Sequence, residues 1–120
     1  QHEYVTFLVT DHLDAPALKK HIELTKQAGL SRIRPSKEHM CSFVTLVVLA
    51  NTIDPEAKKL LTRTRYRKNY RMMFHGWMEY HVAAMEVSTN SFLSNPAGRE
   101  ARKNLEQNFG SGKKEKKGAN

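Results

Sequence analysis

The chain has 120 residues, of which 39% are hydrophobic, and its 20 basic and 12 acidic side chains give a formal net charge of +8. Its mean hydropathy is −0.64. A chain of this length holds one domain, and the composition excludes a bundle of membrane-spanning helices, a collagen-like chain and a fully disordered chain. The single Cys41 excludes an intramolecular disulfide framework.

The compartment is constrained by the cysteine content and by the uncharged stretches. The longest uncharged stretch, residues 40–53, has 14 residues, whereas a transmembrane helix needs about 20. We therefore expect no transmembrane span. One unpaired cysteine is typical of a reducing, intracellular compartment. An organelle is the alternative if an N-terminal signal has been removed before Gln1.

The first two predicted elements are a strand and a helix. Residues 4–10 are rich in β-branched and aromatic side chains, which predicts a short strand. Asp14 is a good N-cap residue and Pro16 suits the first helical turn, so we predict a helix over residues 15–28. Gly29 would then stop this helix at its C-terminal end.

The segment 40–51 is apolar on nearly every side, so its periodicity does not separate a buried helix from a buried strand. A helix-start signal at Pro35 and Ser36 and a length above ten residues favour a helix, which is our expectation. Its four β-branched residues favour a strand instead. Such a strand would pair in parallel with residues 4–10 across the first helix, as a βαβ unit.

The clearest helix start is Asp54-Pro55-Glu56, which supplies a cap, a proline at the first helical position and an acid in the first turn. Beyond it, aromatic, Met and aliphatic residues recur at spacings of three and four with no proline before Pro96. This pattern predicts one long helix over about residues 55–90. The residues of its apolar seam are Tyr66, Tyr70, Met73, Trp77, Tyr80, Ala84 and Val87.

A fourth helix is predicted from Pro96, with Ala101 and Leu105 on one face. Residues 110–120 hold no apolar side chain larger than Ala and are predicted to form a basic, disordered tail. The expected fold is mainly α, with three to four helices, one long helix and a short N-terminal strand, in a single domain over residues 1–109. An α+β fold with a βαβ-like N-terminal unit is the alternative.

Basic residues are concentrated between positions 58 and 71, where seven occur without an acid. On a continuous helix, four of them step by four residues and form a ridge of the kind that follows a phosphate backbone. Tyrosines among them would stack on unpaired bases. We therefore predict binding to the backbone of RNA or DNA. The predicted binding residues are Lys58, Lys59, Arg63, Arg65, Arg67, Lys68, Arg71, Lys113, Lys114, Lys116 and Lys117.

The apolar seam is expected to dock a partner protein, because Met and aromatic side chains fill irregular interfaces well. The predicted function is a small, basic, non-enzymatic subunit of a larger assembly. The alternative is a structural accessory subunit of a multi-protein complex, with or without membrane association and with no nucleic-acid role. Its basic groups would contact acidic protein or the acidic lipid of a membrane surface.

The sequence offers no pattern for catalysis, metal binding or a cofactor. His75 and Glu79 share one face of the predicted helix but have no further ligands in register. Cys41 lies in an apolar run, where a thiol is usually inert. The glycines form no phosphate-binding motif. We expect no enzymatic activity, no metal site and no cofactor.

Overall fold

A computed structural model describes residues 2–34, 41–70 and 76–110 and arranges them as one mixed sheet with helices on both faces. Short 3₁₀ turns at Val87–Thr89 and Pro96–Gly98 flank the last strand. In chain order the strands and α-helices are β1 (His2–Leu13), α1 (Ala15–Arg32), β2 (Cys41–Ile53), α2 (Pro55–Arg63), β3 (Arg67–Asn69), β4 (Trp77–Glu86), β5 (Ser91–Ser94) and α3 (Arg99–Phe109).

The prediction of a mainly α, helical fold is wrong, and the structure has the α+β architecture that was the alternative. β1 and β2 pair in parallel across α1, which is the βαβ unit. β4 pairs in parallel with the other edge of β2. β3 and β5 are both antiparallel to β4 on its far edge, so the sheet order is β1-β2-β4-β3 with β5 also on β4.

The helix α1 begins where its cap predicts. Asp14 Oδ1 accepts a hydrogen bond from the Ala17 amide at 2.9 Å, and Leu18 and Ile22 are buried against the sheet. The predicted stop at Gly29 is wrong, because the helix continues to Arg32. Gly29 instead lets the helix approach the sheet closely, since a Cβ there would clash with the side chain of Val44.

Within the segment 40–51, residues 41–51 lie in β2, so the expectation of a helix there is wrong, and Met40 lies outside the described residues. Residues Val44 to Val48 of β2 are all buried. A central parallel strand has helices on both faces, so it is apolar on both and lacks the alternation that identifies a half-buried strand. The helix-start signal at residues 35–38 lies outside the described residues.

The long helix over residues 55–90 is also wrong. α2 begins at Pro55 as predicted but ends at Arg63, and the chain then enters the β3–β4 hairpin. Along β4, Met78, Tyr80 and Val82 are fully buried while the residues between them are only half-buried. This spacing of two is typical of a strand and contradicts the helical seam.

Asn95 closes the gap that β3 and β5 leave along the edge of β4. Its side chain is fully buried. Its Oδ1 accepts from the Val82 amide at 3.0 Å and the Gly98 amide at 2.8 Å. Its Nδ2 donates to the Tyr80 carbonyl at 2.9 Å and the Thr64 carbonyl at 3.1 Å. One side chain therefore satisfies four backbone groups where no strand pairs.

The sheet is covered by α1 and α2 on one face and by α3 on the other. The larger core, which includes Leu18, Leu46 and Tyr80, lies under α1 and α2. A smaller cluster joins Leu105 of α3 to Val47 on the opposite face. The helix predicted near Pro96 is therefore present as α3, after one 3₁₀ turn. The predicted tail from residue 111 onward lies outside the described residues.

Candidate nucleic-acid interface

The basic residues predicted as one ridge are distributed over several elements. Because α2 ends at Arg63, the basic residues after that position are not on the helix and do not continue its ridge. Lys58, Lys59 and Arg63 lie on α2, Arg65 lies in the loop that follows, and Arg67 and Lys68 lie on β3. Outside the described residues lie Arg71, Lys113, Lys114, Lys116 and Lys117.

Lys58 has a structural role. Its Nζ donates to Glu86 Oε1 at 2.9 Å, and the Glu86 side chain is only 6% exposed. The same carboxylate accepts from the Ile53 amide at 2.8 Å and the Thr89 hydroxyl at 2.7 Å. The bond from Lys58, with these further bonds, lowers the pKa of Glu86 to about 2. Lys58 is therefore engaged within the fold by its ion pair with Glu86.

The remaining cations of α2 face α1 across a groove of about 640 Å³. Lys19 of α1 lines the groove opposite Lys59 and Arg63, and Leu60 lies between the helices. Of the described carboxylates, only Glu56 pairs with these cations, at 3.7 Å from Lys59. The groove therefore presents exposed positive charge from two helices to the solvent.

A second groove, of about 210 Å³, continues the first and shares Lys19 and Leu60 with it. Its far end is formed by Arg65 and Tyr66. Lys26 donates to Glu23 at 2.8 Å and lies 4.5 Å from the centre of the Tyr66 ring. An aromatic ring therefore lies at the end of a row of cations.

We call the surface formed by these two grooves the basic face. It carries five cationic and two acidic side chains, which leave a net charge of +3. The sequence-based prediction did not include Lys19 and Lys26 of α1. These lysines lie opposite the apolar side of the predicted helix, and that position could have indicated a basic surface. The charged residues of the basic face are Lys19, Lys26, Lys59, Arg63, Arg65, Glu23 and Glu56.

The β3–β4 hairpin carries two cation–aromatic pairs, one on each face of the sheet: Lys68–Tyr70 lies on the same face as Tyr66, and Arg67–Trp77 lies on the face towards α3. The Arg67 guanidinium lies 5.0 Å from the Trp77 ring centre, and Lys68 Nζ lies 5.4 Å from the Tyr70 ring centre. Partial burial, with a smaller contribution from Tyr66, raises the pKa of Tyr70 above its ordinary value. The hairpin therefore combines positive charge with half-buried rings, which is the composition that stacks on bases.

The seven residues of the predicted seam do not form one surface. Tyr80 and Ala84 are fully buried in the core. The Tyr80 hydroxyl hydrogen-bonds Thr25 Oγ1 at 2.7 Å, and burial raises the pKa of Tyr80 to about 12. Tyr66, Tyr70 and Trp77 are half-buried around the hairpin, Val87 is exposed in a 3₁₀ turn, and Met73 lies outside the described residues.

A polar cluster links the end of β1 to the start of α2. His12 Nε2 lies 3.0 Å from Asp54 Oδ1, and His12 Nδ1 lies 2.6 Å from Thr52 Oγ1. All three are at least partly exposed, and their contacts join neighbouring elements. Among residues 2–34, 41–70 and 76–110, no group of three His, Cys, Asp or Glu side chains is placed to hold a metal ion.

The sheet order, the helices on both faces and the basic face together define a small α+β fold with a cationic surface formed by α1, α2 and the loop after α2. The chain belongs to the family described as Domain of unknown function (DUF8052), which matches residues 1–107. No curated protein and no solved structure gives a significant match. None of the helices within the described part of the chain is long and apolar enough to cross a bilayer.

Proposed function

We propose that this protein is a non-enzymatic subunit of an intracellular assembly and binds the phosphate backbone of RNA or DNA through its basic face. The observation that carries the proposal is that Lys19 of α1 lines adjoining grooves together with Arg63 at the end of α2 and Arg65 just after it. All three are exposed, and none of them pairs with a carboxylate of the described residues. Unpaired, exposed cations in a row are what a polyanion neutralises.

The rings beside the basic face favour nucleic acid over a lipid surface. Tyr66 lies at the end of the grooves, and the Lys68–Tyr70 pair lies on the same face of the adjacent hairpin. Unpaired bases stack on such rings and on guanidinium planes, with about 1–3 kcal/mol per base. A membrane-binding face would add exposed aliphatic side chains, but of the six large apolar residues that are exposed within residues 2–34, 41–70 and 76–110, four lie on β1 and α3, away from this face.

The test is a salt titration of binding to labelled single-stranded RNA and DNA, with the double variant Lys19→Ala/Arg63→Ala. If both cations contact phosphates, the slope of log affinity against log salt falls by about 1.4, since each contact contributes about 0.7 on single strands. The matched control is Arg99→Ala/Lys103→Ala, which removes the same charge from α3 on the opposite face. The control should change the slope far less than the test variant.

Three outcomes would overturn the proposal. One is no binding by the wild type near physiological salt, and another is an equal loss of slope in both double variants. The third is binding to vesicles of acidic lipid, but not to either nucleic acid, that the Lys19→Ala/Arg63→Ala variant abolishes. That result would assign the basic face to a membrane surface.

A further inference from the structure

β1 is an edge strand whose outer side has no partner within the described residues. It is 12 residues long and pairs only with β2. The pairing keeps one constant offset from His2↔Ser42 to Leu13↔Ile53, so no bulge twists the edge away. β1 also contains no Lys, Arg or Pro. Natural edge strands are usually protected by such features, and β1 has none of them.

One face of β1 carries a row of exposed apolar side chains. Val5, Phe7 and Val9 are 47%, 66% and 73% exposed. They lie on the face opposite α1, beside a groove of about 490 Å³ that Leu105 and Phe109 of α3 also line. A parallel sheet normally has both faces covered, but α3 leaves this part of β1 uncovered.

The charge distribution shows where two copies of this chain can meet. The chain carries a net charge of +8, so most of its surface repels a second copy. β1 has no cation, and its two acidic residues, Glu3 and Asp11, lie at either end of the apolar row. Positive charge on β1 itself therefore does not oppose the approach of a second copy along this edge.

We propose that two copies of the chain pair through β1, antiparallel and about a two-fold axis perpendicular to the sheet. This pairing joins two five-stranded sheets into one continuous sheet. It gives hydrogen-bond partners to the outward backbone groups of both edges. It also keeps Val5, Phe7 and Val9 of the two copies on the same face, where they pack against one another between the two α3 helices.

The side-chain chemistry ranks the three central registers. Antiparallel pairing about a two-fold axis places residues of the same parity opposite each other, so each register is centred on one residue. A register centred on Phe7 places Glu3 opposite Asp11 of the second copy, and these like charges repel. A register centred on Leu8 places Val5 opposite Asp11 and leaves an apolar side chain against a carboxylate.

A register centred on Thr6 avoids the like-charge repulsion but, like the Leu8 register, leaves one apolar side chain against a carboxylate, because Val9 lies opposite Glu3 of the second copy. It is favoured over the Leu8 register because it makes two apolar pairs on the face towards α1, where the Leu8 register makes one. It places Val5 opposite Phe7 of the second copy on the exposed face. On the other face, it places Tyr4 opposite Leu8 of the second copy. Aromatic and aliphatic cross-strand pairs of this kind stabilise antiparallel pairing. The geometry therefore favours the dimer in which Thr6 meets its own copy at the axis.

The expected affinity follows from the small contact area. Pairing of one strand from each copy, with three exposed apolar side chains on each, falls below the about 1,200 Å² of a standard interface. A dissociation constant in the micromolar range, about 1–100 µM, is the corresponding expectation. Dimerisation is then a concentration-dependent equilibrium that solution measurements resolve.

The first test is analytical ultracentrifugation across that concentration range with the variant Phe7→Lys. A lysine at the centre of the edge should weaken the dimer at least about tenfold, because it places a cation in each copy's apolar row. Leu24→Lys is the matched control, since Leu24 is 56% exposed on α1 and loses the same kind of side chain. A wild type that stays monomeric throughout, or equal dimerisation of Phe7→Lys and wild type, would overturn the proposal.

The second test addresses the register by disulfide trapping in a Cys41→Ser background. Cα atoms of directly paired residues lie about 4.5–5.5 Å apart, within the range that a disulfide bridges. Thr6→Cys should therefore cross-link rapidly under mild oxidation. Val9→Cys places the two thiols about 20 Å apart along the strands and should not. Efficient cross-linking of Val9→Cys with none of Thr6→Cys would refute this register.

Discussion

Glu86 gives the sharpest stability prediction, because a nearly buried carboxylate is held there by three donors. The substitution Glu86→Gln removes the negative charge and places an amide against the Lys58 ammonium, 2.9 Å from the original oxygen. The pKa of Glu86 is lowered from 4.5 to about 2. Since one pKa unit is worth about 1.4 kcal/mol, the ionised carboxylate stabilises the fold by about 3 kcal/mol.

The pH dependence follows from the direction of this shift. A carboxyl group whose folded-state pKa is lowered stabilises the protein fully above its unfolded pKa of 4.5. That contribution is lost progressively as the pH falls from 4.5 towards about 2. Glu86→Gln should therefore cost about 3 kcal/mol at pH 7 and much less near pH 3, because the wild type is by then losing the same contribution.

The assay is urea denaturation of wild type and variant at both pH values. The matched control is Glu56→Gln. Glu56 is 74% exposed and lies 3.7 Å from Lys59, and both residues are on α2, the helix that carries Lys58. A surface pair of this kind contributes at most about 1 kcal/mol. The argument fails if both substitutions cost the same at pH 7, or if the cost of Glu86→Gln does not shrink in acid.

Two further predictions concern packing around the sheet. Asn95→Ala should cost about 3–5 kcal/mol in urea denaturation, because it leaves buried backbone groups at Val82 and Tyr80 without partners; a cost below about 1 kcal/mol would show that water replaces the side chain. Gly29→Ala should cost about 1–3 kcal/mol through its clash with Val44. Val44→Ala should make the double variant less costly than the sum of the two singles, and simple additivity would contradict that contact.

Local signals identified the starts of the elements. The cap at Asp14 and the Asp54-Pro55 pair each begin a helix where the sequence predicted one, and the β-branched run over residues 4–10 lies within β1. These predictions succeed because a cap or a strand propensity is decided by a few adjacent residues. The basic composition of residues 58–71 was equally plain, but composition alone did not say which cations lie together.

The prediction of a helix is wrong for the segments 40–51 and 76–86, because the secondary structure there depends on partners distant in sequence. β2 is apolar on both sides since helices cover both faces, which removes the alternation that marks a strand. In β4, Tyr80 and Ala84 lie at helical spacing. The fully buried residues Met78, Tyr80 and Val82, however, follow one another at a spacing of two. A strand is stabilised by its neighbours' hydrogen bonds, so periodicity within the segment does not decide it.

The sequence by itself determined the charge of this protein and the starts of α1 and α2. Only the tertiary structure brought Lys19 beside Arg63 and Arg65, engaged Lys58 with Glu86, and left Val5, Phe7 and Val9 exposed on an edge strand. Caps, propensities and net charge are properties of neighbouring residues. A binding face or an open edge is decided by which elements pack together, because residues far apart in the chain meet there.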